Sequence, residues 1–533
     1  MPRPTFTVLR RLAPLVVALA LFVAPTTVAA QSVMEALLLP MDLTVAAGDD
    51  IDFGYGIAID GDTLFVGAPK AGAGSFSDKE GRVYVYERDG VDWLFAQELV
   101  AASPDEDNLR FGTALAAEDD VLAVGCVDEV IVFRRVGGAW QQDAEIPLNQ
   151  GVGASGWLEL ELEDDVLAVH HVRLFSGDDG GVSVFRELTG GWQLEQFIPL
   201  PSGTTTSLGM QLEQGFLMLG AMIASGGGGF EFLDAELSIY EHSGGVWSPG
   251  PVLDGGQTLH VSGDLLLTKS YHEVFQFGFP GGHSLSIELR AYALRDGEWV
   301  PRSAPDLDDE VFLFKAAMVG DLMMVVGRNG GEGSNTVARL KTYALDESDE
   351  WIEQESELIS PLIGLPALFQ FYQWELVTDG DRAVLADASF GNGFPPDGGA
   401  FVFRGTPFGR IESGEFAGTG GAVPQLSGSG TLTPGSDNSL TLSDALPLTT
   451  TALLSGLGLE QLPFKGGVLV PTPDLLLNAL LALPVNAQGE QALSFAWPAD
   501  VPTGTKLYLQ HWVADPAGPF GFSASNGLEL VTQ

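Results

Sequence analysis

Acidic side chains are the most abundant reactive groups in this chain: 71 Asp and Glu stand against 25 Lys and Arg. Two carboxylates held roughly 5 to 9.5 Å apart can divide glycoside hydrolysis between a general acid and a base or nucleophile. The densest groups, Asp105-Glu106-Asp107 and Asp306, Asp308, Asp309 and Glu310, fall between periodic segments, where acids stay hydrated without further purpose. Spacing along the chain does not set a separation in space. The expectation for these acids is therefore solvation, and no catalytic residue is assigned.

Other reactive types are sparse. His170 and His171 are adjacent on an expected strand and point to opposite faces, so they do not form a metal pair. His242, His260, His272 and His283 show no ligand spacing, and no metal site or cofactor is expected. The single cysteine, Cys126, excludes an internal disulfide. With no activating His nearby it reads as a small buried residue rather than a nucleophile. Gly226 to Gly229 lack the Lys-Ser/Thr and the helix of a phosphate loop.

The elements that must position any site repeat with a regular period. Trp93, Trp140, Trp192, Trp247, Trp299 and Trp351 are 47 to 55 residues apart. Each follows a tight turn such as Asp89-Gly90 or Gly244-Gly245, which suits a hairpin. A turn acid precedes an apolar strand at Asp62, Asp120, Asp165, Asp264, Asp321 and Asp381, with Gly215 in its place in the fourth copy. A third landmark is a strand ahead of each hairpin, from Val83-Tyr84-Val85-Tyr86 to Ala400-Phe401-Val402-Phe403. It occurs seven times. Each copy reads as a four-stranded meander able to bury its faces only against its neighbours. The expected fold class is all-β: a seven-bladed β-propeller over 31–404, followed by a small antiparallel β-sandwich. The seventh copy lacks a Trp strand, and the apolar stretch Val33 to Leu39 precedes the first copy. That stretch is expected to complete the last blade and leave no open edge. A Trp recurring at one position of the repeat is expected to serve blade packing rather than a ligand.

Phe53-Gly54 followed by Val66-Gly67-Ala68-Pro69 resembles the FG-GAP repeat of the integrin α-subunit propeller and its bacterial relatives. Phe111-Gly112 with Val124-Gly125 repeats it less fully. The resemblance covers roughly residues 33 to 404, is specific for fold, and implies a binding or adhesion role. In that family a calcium loop often occupies the hairpin before the Val-Gly-Ala-Pro strand. Here the hairpin is the short Asp60-Gly61-Asp62, which cannot supply the six to eight or so oxygens that calcium takes.

Residues 1–30 carry Arg3, Arg10 and Arg11, an apolar run from Leu12 to Ala24, and Val28-Ala29-Ala30 before Gln31. This is the pattern of a cleaved secretory signal, so a secreted or cell-surface protein without a transmembrane anchor is expected. The formal charge of −46 repels phosphate and makes nucleic acid an unsuitable partner.

Beyond Gly405 the texture changes. Residues 405–425 are rich in Gly, Ser and Thr and read as a linker. Residues 426–533 hold short alternating strands such as Ser439-Leu440-Thr441-Leu442 and Leu507 to Trp512, punctuated by Pro and Gly, as in a β-sandwich. Leu475 to Leu483 fits a short helix or a buried strand equally. The ending around Gln510 to Pro516 and Ala524 to Leu528 resembles the terminal β-domain of many large exported bacterial proteins.

The expected function is non-catalytic: a monomeric propeller that binds a protein or glycan. The alternative is a propeller-type polysaccharide hydrolase or lyase using channel carboxylates. Two or three carboxylates gathered with a His or Arg at the channel would favour catalysis, whereas dispersed acids with exposed aromatics would favour binding. Because the turns are short, millimolar calcium should raise the melting temperature no more than magnesium at equal ionic strength, since screening acts alike for both. A saturable, calcium-selective rise in a thermal-shift titration would overturn this.

Overall fold

The computed structural model describes residues 33–38, 51–72, 80–89, 92–102, 110–127, 129–148, 157–172, 180–201, 204–225, 230–276, 283–305, 307, 311–320, 322–329, 338–345, 350–358, 374–380, 382–387, 398–411, 414–473, 482–499, 501–502 and 504–532. The signal segment, the loop acids Asp105 to Asp107, Asp306 and Asp308 to Glu310, the Gly226–Gly229 run, Asp321, Asp381 and most of Leu475 to Leu483 lie outside them. The chain divides into two compact units, one comprising residues 34–88 and 93–403 and the other chiefly 404–533.

The larger unit is an all-β propeller. Blade 1 is built from Ile57–Asp60, Thr63–Ala68, Arg82–Asp89 and Asp92–Leu99, and blade 2 from Leu115–Glu118, Val121–Gly125, Glu129–Val136 and Ala139–Pro147. Trp157–Glu163, Val166–Val172, Gly181–Leu188 and Gly191–Pro199 form blade 3; Thr204–Glu213, Phe216–Ser225, Phe230–Ser243 and Val246–Asp254 form blade 4. Blade 5 runs through Gln257–Ser262, Leu265–Gln276, His283–Arg295 and Glu298–Arg302, and blade 6 through Val311–Val319, Leu322–Asn329, Ala338–Leu345 and Trp351–Leu358. Blade 7 takes Trp374–Asp379, Arg382–Asp387 and Gly399–Arg404 from its own sequence, and its outer strand is Val33–Leu38. Innermost strands touch in the order of the blades, and that of blade 7 touches that of blade 1, so the ring is closed. Blades 4 and 5 share one further ladder, Phe230–Asp234 against His272–Gln276.

Glycines set how closely the blades approach. Phe53 and Phe111 are fully buried, and each forms a parallel bridge to a glycine of the preceding blade, Gly398 and Gly81 respectively. Gly54 and Gly112 stand at φ near +90°, where a side chain is strained. A Cβ at Gly67 would lie 2.1 Å from the Gly112 carbonyl oxygen. Gly220 meets Gly256 in the same way at 1.8 Å, which identifies Leu219-Gly220-Ala221 as the blade 4 counterpart of Val66-Gly67-Ala68.

The turn acids share one backbone role, to which Asp62 and Asp165 add side-chain pairs with Arg88 and Arg186. The carbonyls of Asp62, Asp120, Asp165 and Asp264 each accept an N–H from the third strand of their own blade, and Gly215 does the same. A main-chain role explains why glycine can replace the acid. The tryptophans fill the seams between blades. Trp140 packs edge-on against Phe65 of blade 1 at 5.0 Å, and Trp299 against Phe216 of blade 4 at 6.0 Å. Trp93, Trp140, Trp247 and Trp299 are buried, whereas Trp192 and Trp351 are half-buried. A second device recurs beside them. The Gln97 side-chain amide pairs with both backbone groups of Trp140 at 2.8 and 2.9 Å, and Gln196 does the same for Trp247 at 2.9 Å each.

The second unit is an antiparallel sandwich. Its five-stranded sheet contains Phe408–Ile411, Phe522–Val531, Lys506–Ala514, Thr450–Gly456 and Leu483–Pro484. Facing it is a three-stranded sheet of Gln425–Ser429, Asp437–Ser443 and Gln491–Ala496, with a hairpin of Leu459–Phe464 and Gly467–Pro471. Leu426, Leu440, Leu453, Phe495, Trp497, Leu509 and Leu528 share its core. The expected linker over 405–425 is corrected here. Phe408–Ile411 pairs with Phe522–Val531, and Phe408 and Ile411 are buried. The Thr419 backbone and hydroxyl both bind the Asp515 carboxylate. Small residues in this stretch suggested flexibility, but two of its glycines are crowded: a Cβ at Gly409 or Gly418 would collide with Arg404 or Asp515.

At the ring seam, Glu35 of the N-terminal strand is 4% exposed between Arg382 at 3.3 Å and Arg88 at 3.8 Å, and it accepts a bond from the Trp93 indole at 3.4 Å. Removing one partner of a buried ion pair costs about 3–5 kcal/mol. Glu35→Ala is expected to lower stability on that scale in urea unfolding of the propeller; an unchanged midpoint would mean that this strand does not hold the seam.

Candidate functional site: the central channel

Seven inner strands enclose a channel of about 370 Å³, within the range of small-ligand sites. Its chemistry is concentrated in blade 3. The run Leu158-Glu159-Leu160-Glu161-Leu162-Glu163 alternates strictly, so its three acids share one face and its leucines the other. Leu160 is buried in the seam with blade 2, and Leu158 and Leu162 pack beside it. That burial turns the acids toward blade 4 and the channel.

Each of the three acids meets a different environment. The Glu159 carboxylate lies 3.0 Å from His170 Nδ1, and His170 Nε2 lies 2.7 Å from the Ser207 hydroxyl. Burial would raise the Glu159 carboxyl, but the His170 contact, the Lys315 charge and the Met210 N–H outweigh it and hold it below its ordinary value. At Glu161 the opposing influences win. Burial, and then the charges of Glu159, Glu213 and Glu375, push it well above the carboxylate range. Glu163 binds the turn of blade 4, accepting from the N–H groups of Gln214 and Gly215.

From blade 6, Lys315 reaches Glu375 of blade 7 at 2.9 Å. Burial works against its charge, yet Glu375, Glu159 and Glu161 together raise its pKa. On the next strand out in blade 5, burial and then the Lys315 charge lower Lys269 to about 7. His260 also lines the channel, and burial lowers it to about 4.

Ser207, His170 and Glu159 have the connectivity of a nucleophile triad, but their accessibility is reversed. His170 and Ser207 are buried while Glu159 keeps 43% of its side-chain surface open. A nucleophile must reach its substrate, so this arrangement fixes the carboxylate rather than activating the hydroxyl. Cys126 is likewise enclosed, with its thiol pushed well up by burial and then by Glu129 and Glu145. Among the described residues no group of three or more His, Cys, Asp or Glu could hold a metal ion.

The channel carboxylates were not singled out in the sequence, where His170 carried only an argument against metal binding. The available signal was the strict alternation at 158–163, which places three acids on one face of an innermost strand. The residues marking the repeat stand in blade seams and turns, and none of the described ones among them lines the channel.

One end of the channel carries a latch of acids at the last position of successive inner strands. Asp379 accepts from the Gly61 N–H, Glu118 from that of Asp164, and Asp60 from that of Asp119. With Glu163, these link blades 7, 1, 2, 3 and 4. Glu213 occupies the same position in blade 4, and burial and then Glu163 raise it.

The sequence matches no family model and no curated protein. Among solved structures, the chain is similar to the polysaccharide lyase Uly1 at 9% identity, covering 66% of this chain and 90% of that one with a TM-score of 0.38. AofleA from Arthrobotrys oligospora is 12% identical over 59% of this chain and 88% of its own, with a TM-score of 0.32. The complex of fission yeast SREBP–SCAP binding domains is 12% identical over 66% and 81%, with a TM-score of 0.31. Likeness this distant carries no argument about activity.

Burial, followed by the charges of Asp379, Asp119 and Asp120, raises Asp60 to about 6. A carboxyl raised in the folded state holds its proton more tightly there. Stability is then greatest at low pH and is lost as pH rises from about 4 to 6. Asp60→Asn keeps an acceptor for Asp119 and removes the charge. It should raise the melting temperature at pH 7.5 by roughly 2–4 °C and leave it unchanged at pH 4; an equal shift at both pH values would refute the assignment.

Proposed function

We propose that this protein is an exported β-propeller that hydrolyses a neutral glycan at its central channel, with Glu161 as general acid and Glu159 as general base. The observation that carries this reading is a pair of carboxylates two positions apart on one strand face, in surroundings that drive their protonation in opposite directions. Strand geometry sets their backbones about 6.8 Å apart on one face, so both carboxyl groups reach the same stretch of the channel, and inverting hydrolysis places a water between sugar and base. Protonated Glu161 gives its proton to the glycosidic oxygen as the C–O bond breaks. Ionised Glu159 takes a proton from the water whose oxygen bonds to the anomeric carbon. His170, anchored by Ser207, is a positioning residue for Glu159.

The substrate class follows from charge. Lys315 and Glu375 neutralise each other, and the further carboxylates lining the channel, Glu159 and Glu213, give its bore a negative character. A negative bore disfavours uronates, and with them the elimination chemistry of a lyase. Export is supported by the arginines and apolar run of residues 1–30, and an FG-GAP type of repeat by the seam contacts of Phe53-Gly54 and Phe111-Gly112.

A second reading, non-catalytic binding of a glycan or protein, is favoured by one observation: Glu159 already accepts from His170 and Met210, and Lys315 is closed on Glu375. Groups committed in this way can hold a ligand without cleaving it.

Incubation with mixed neutral polysaccharides, read as new reducing ends, separates the two. Under the hydrolytic reading the rate should fall about 10²-fold or more in Glu161→Gln. It should decline as pH rises through the elevated Glu161 pKa and again at acid pH as Glu159 protonates. Sugar binding without reducing ends, weakened by the same substitution, would establish the binding reading. Neither activity nor binding would remove the channel as the site.

A further inference from the structure

The second unit presents an aromatic patch whose charge is unlike that of the rest of the chain. Arg410, Lys465 and Lys506 are the only Lys or Arg in residues 405–533. Arg410 is paired with Glu415 and Lys506 with Glu529, both at 3.0 Å. Lys465 has no carboxylate partner among the described residues. Its ammonium instead lies 3.5 Å from the centre of the Phe522 ring and 5.5 Å from that of Phe464, a cation–π arrangement that holds the charge without neutralising it.

Exposed apolar surface surrounds this ammonium. Phe464 is 39% exposed, Leu462 46% and Phe520 80%. The hairpin tip at Gly466 adjoins the Pro519–Gly521 turn, since a Cβ there would lie 2.5 Å from Pro519 and 3.6 Å from the Phe520 ring. Phe464 stands edge-on to Trp512 at 4.9 Å, which fixes its ring. Both Lys465 and Phe520 occupy the left-handed region, at φ 44° and 52°. Each is followed by a glycine at positive φ, Gly466 at 87° and Gly521 at 80°, as a tight turn requires, so both side chains stand exposed at the tips of two adjoining turns.

We propose that this patch binds an anionic polysaccharide, with sugar faces stacked on Phe464 and Phe520 and a carboxylate or sulfate group on Lys465. An aromatic ring fixed by packing, a second exposed ring and one cation together offer a flat apolar face and a point charge to such a ligand. The net charge of −46 opposes a polyanion only at long range, because at physiological salt the Debye length is about 8 Å and the local cation decides. An anionic bilayer is the competing surface. It is disfavoured because Phe464, locked against Trp512, suits a flat sugar face better than a fluid acyl layer.

The test is affinity gel electrophoresis of the full chain in alginate, chondroitin sulfate and dextran, with co-sedimentation on vesicles of phosphatidylcholine and phosphatidylglycerol. The expected result is retardation by the two anionic polymers and not by dextran, weakened at least fivefold in both Phe520→Ala and Lys465→Gln with melting temperatures unchanged. Lys465→Arg should retain most of it. No retardation by either anionic polymer, equal retardation by dextran, retardation unaffected by the substitutions, or vesicle binding in its place would each overturn the proposal. The readout is independent of the channel, so its failure says nothing about hydrolysis, and the converse also holds.

Discussion

Pairing of Val33–Leu38 with Gly399–Arg404 is the contact on which the larger unit depends. Without it blade 7 has three strands and an open edge, and a ring of stacked sheets has two unsatisfied ends. The strand lies some 360 residues from its partner in sequence, so its loop-closure cost comes late and must be recovered by strong contacts. Glu35 between two arginines supplies one of these, in a position where any loss leaves buried charge behind. The channel exists only because the ring closes.

Closure also explains the charge pattern inside. Inner strands converge, so side chains on their faces are brought close to those of neighbours. Four glutamates and a lysine that would be unremarkable on an open sheet then perturb one another. Glu159 and Glu161 sit two residues apart but differ in partners. Glu159 has a buried imidazole and a backbone N–H, and Glu161 has mostly like charges. The same convergence produces the acid latch at the channel end, where carboxylates serve as acceptors for the turns of the next blade.

The second unit solves a different problem. A domain of this size with no disulfide relies on packing, helped by buried Asn526, which bonds both backbone groups of Leu426 across the sandwich at 2.8 and 2.9 Å. Glu529 is buried and compensated by Arg404 and Lys506. Beside these internal ties, the exposed Phe520 and Lys465, which has no carboxylate partner among the described residues, stand out as surface directed elsewhere.

Periodicity in the sequence determined the propeller, its blade number and the destination of the N-terminal strand, because each depends on local patterns repeated at one spacing: Trp after a hairpin, an acid at a turn, glycine beside an apolar strand. The Phe-Gly and Val-Gly pairs were legible as markers, and only the tertiary structure showed why they are glycine: there the backbones of adjacent blades press together too closely for a side chain. The supposed linker at 405–425 was misread because small residues look alike whether they are free or crowded. The channel site was decided mainly by tertiary structure, with the alternation at 158–163 as its trace in the sequence. Glu159, His170, Ser207, Lys315 and Glu375 come from four blades, and a pKa depends on distances and burial that no spacing along the chain encodes.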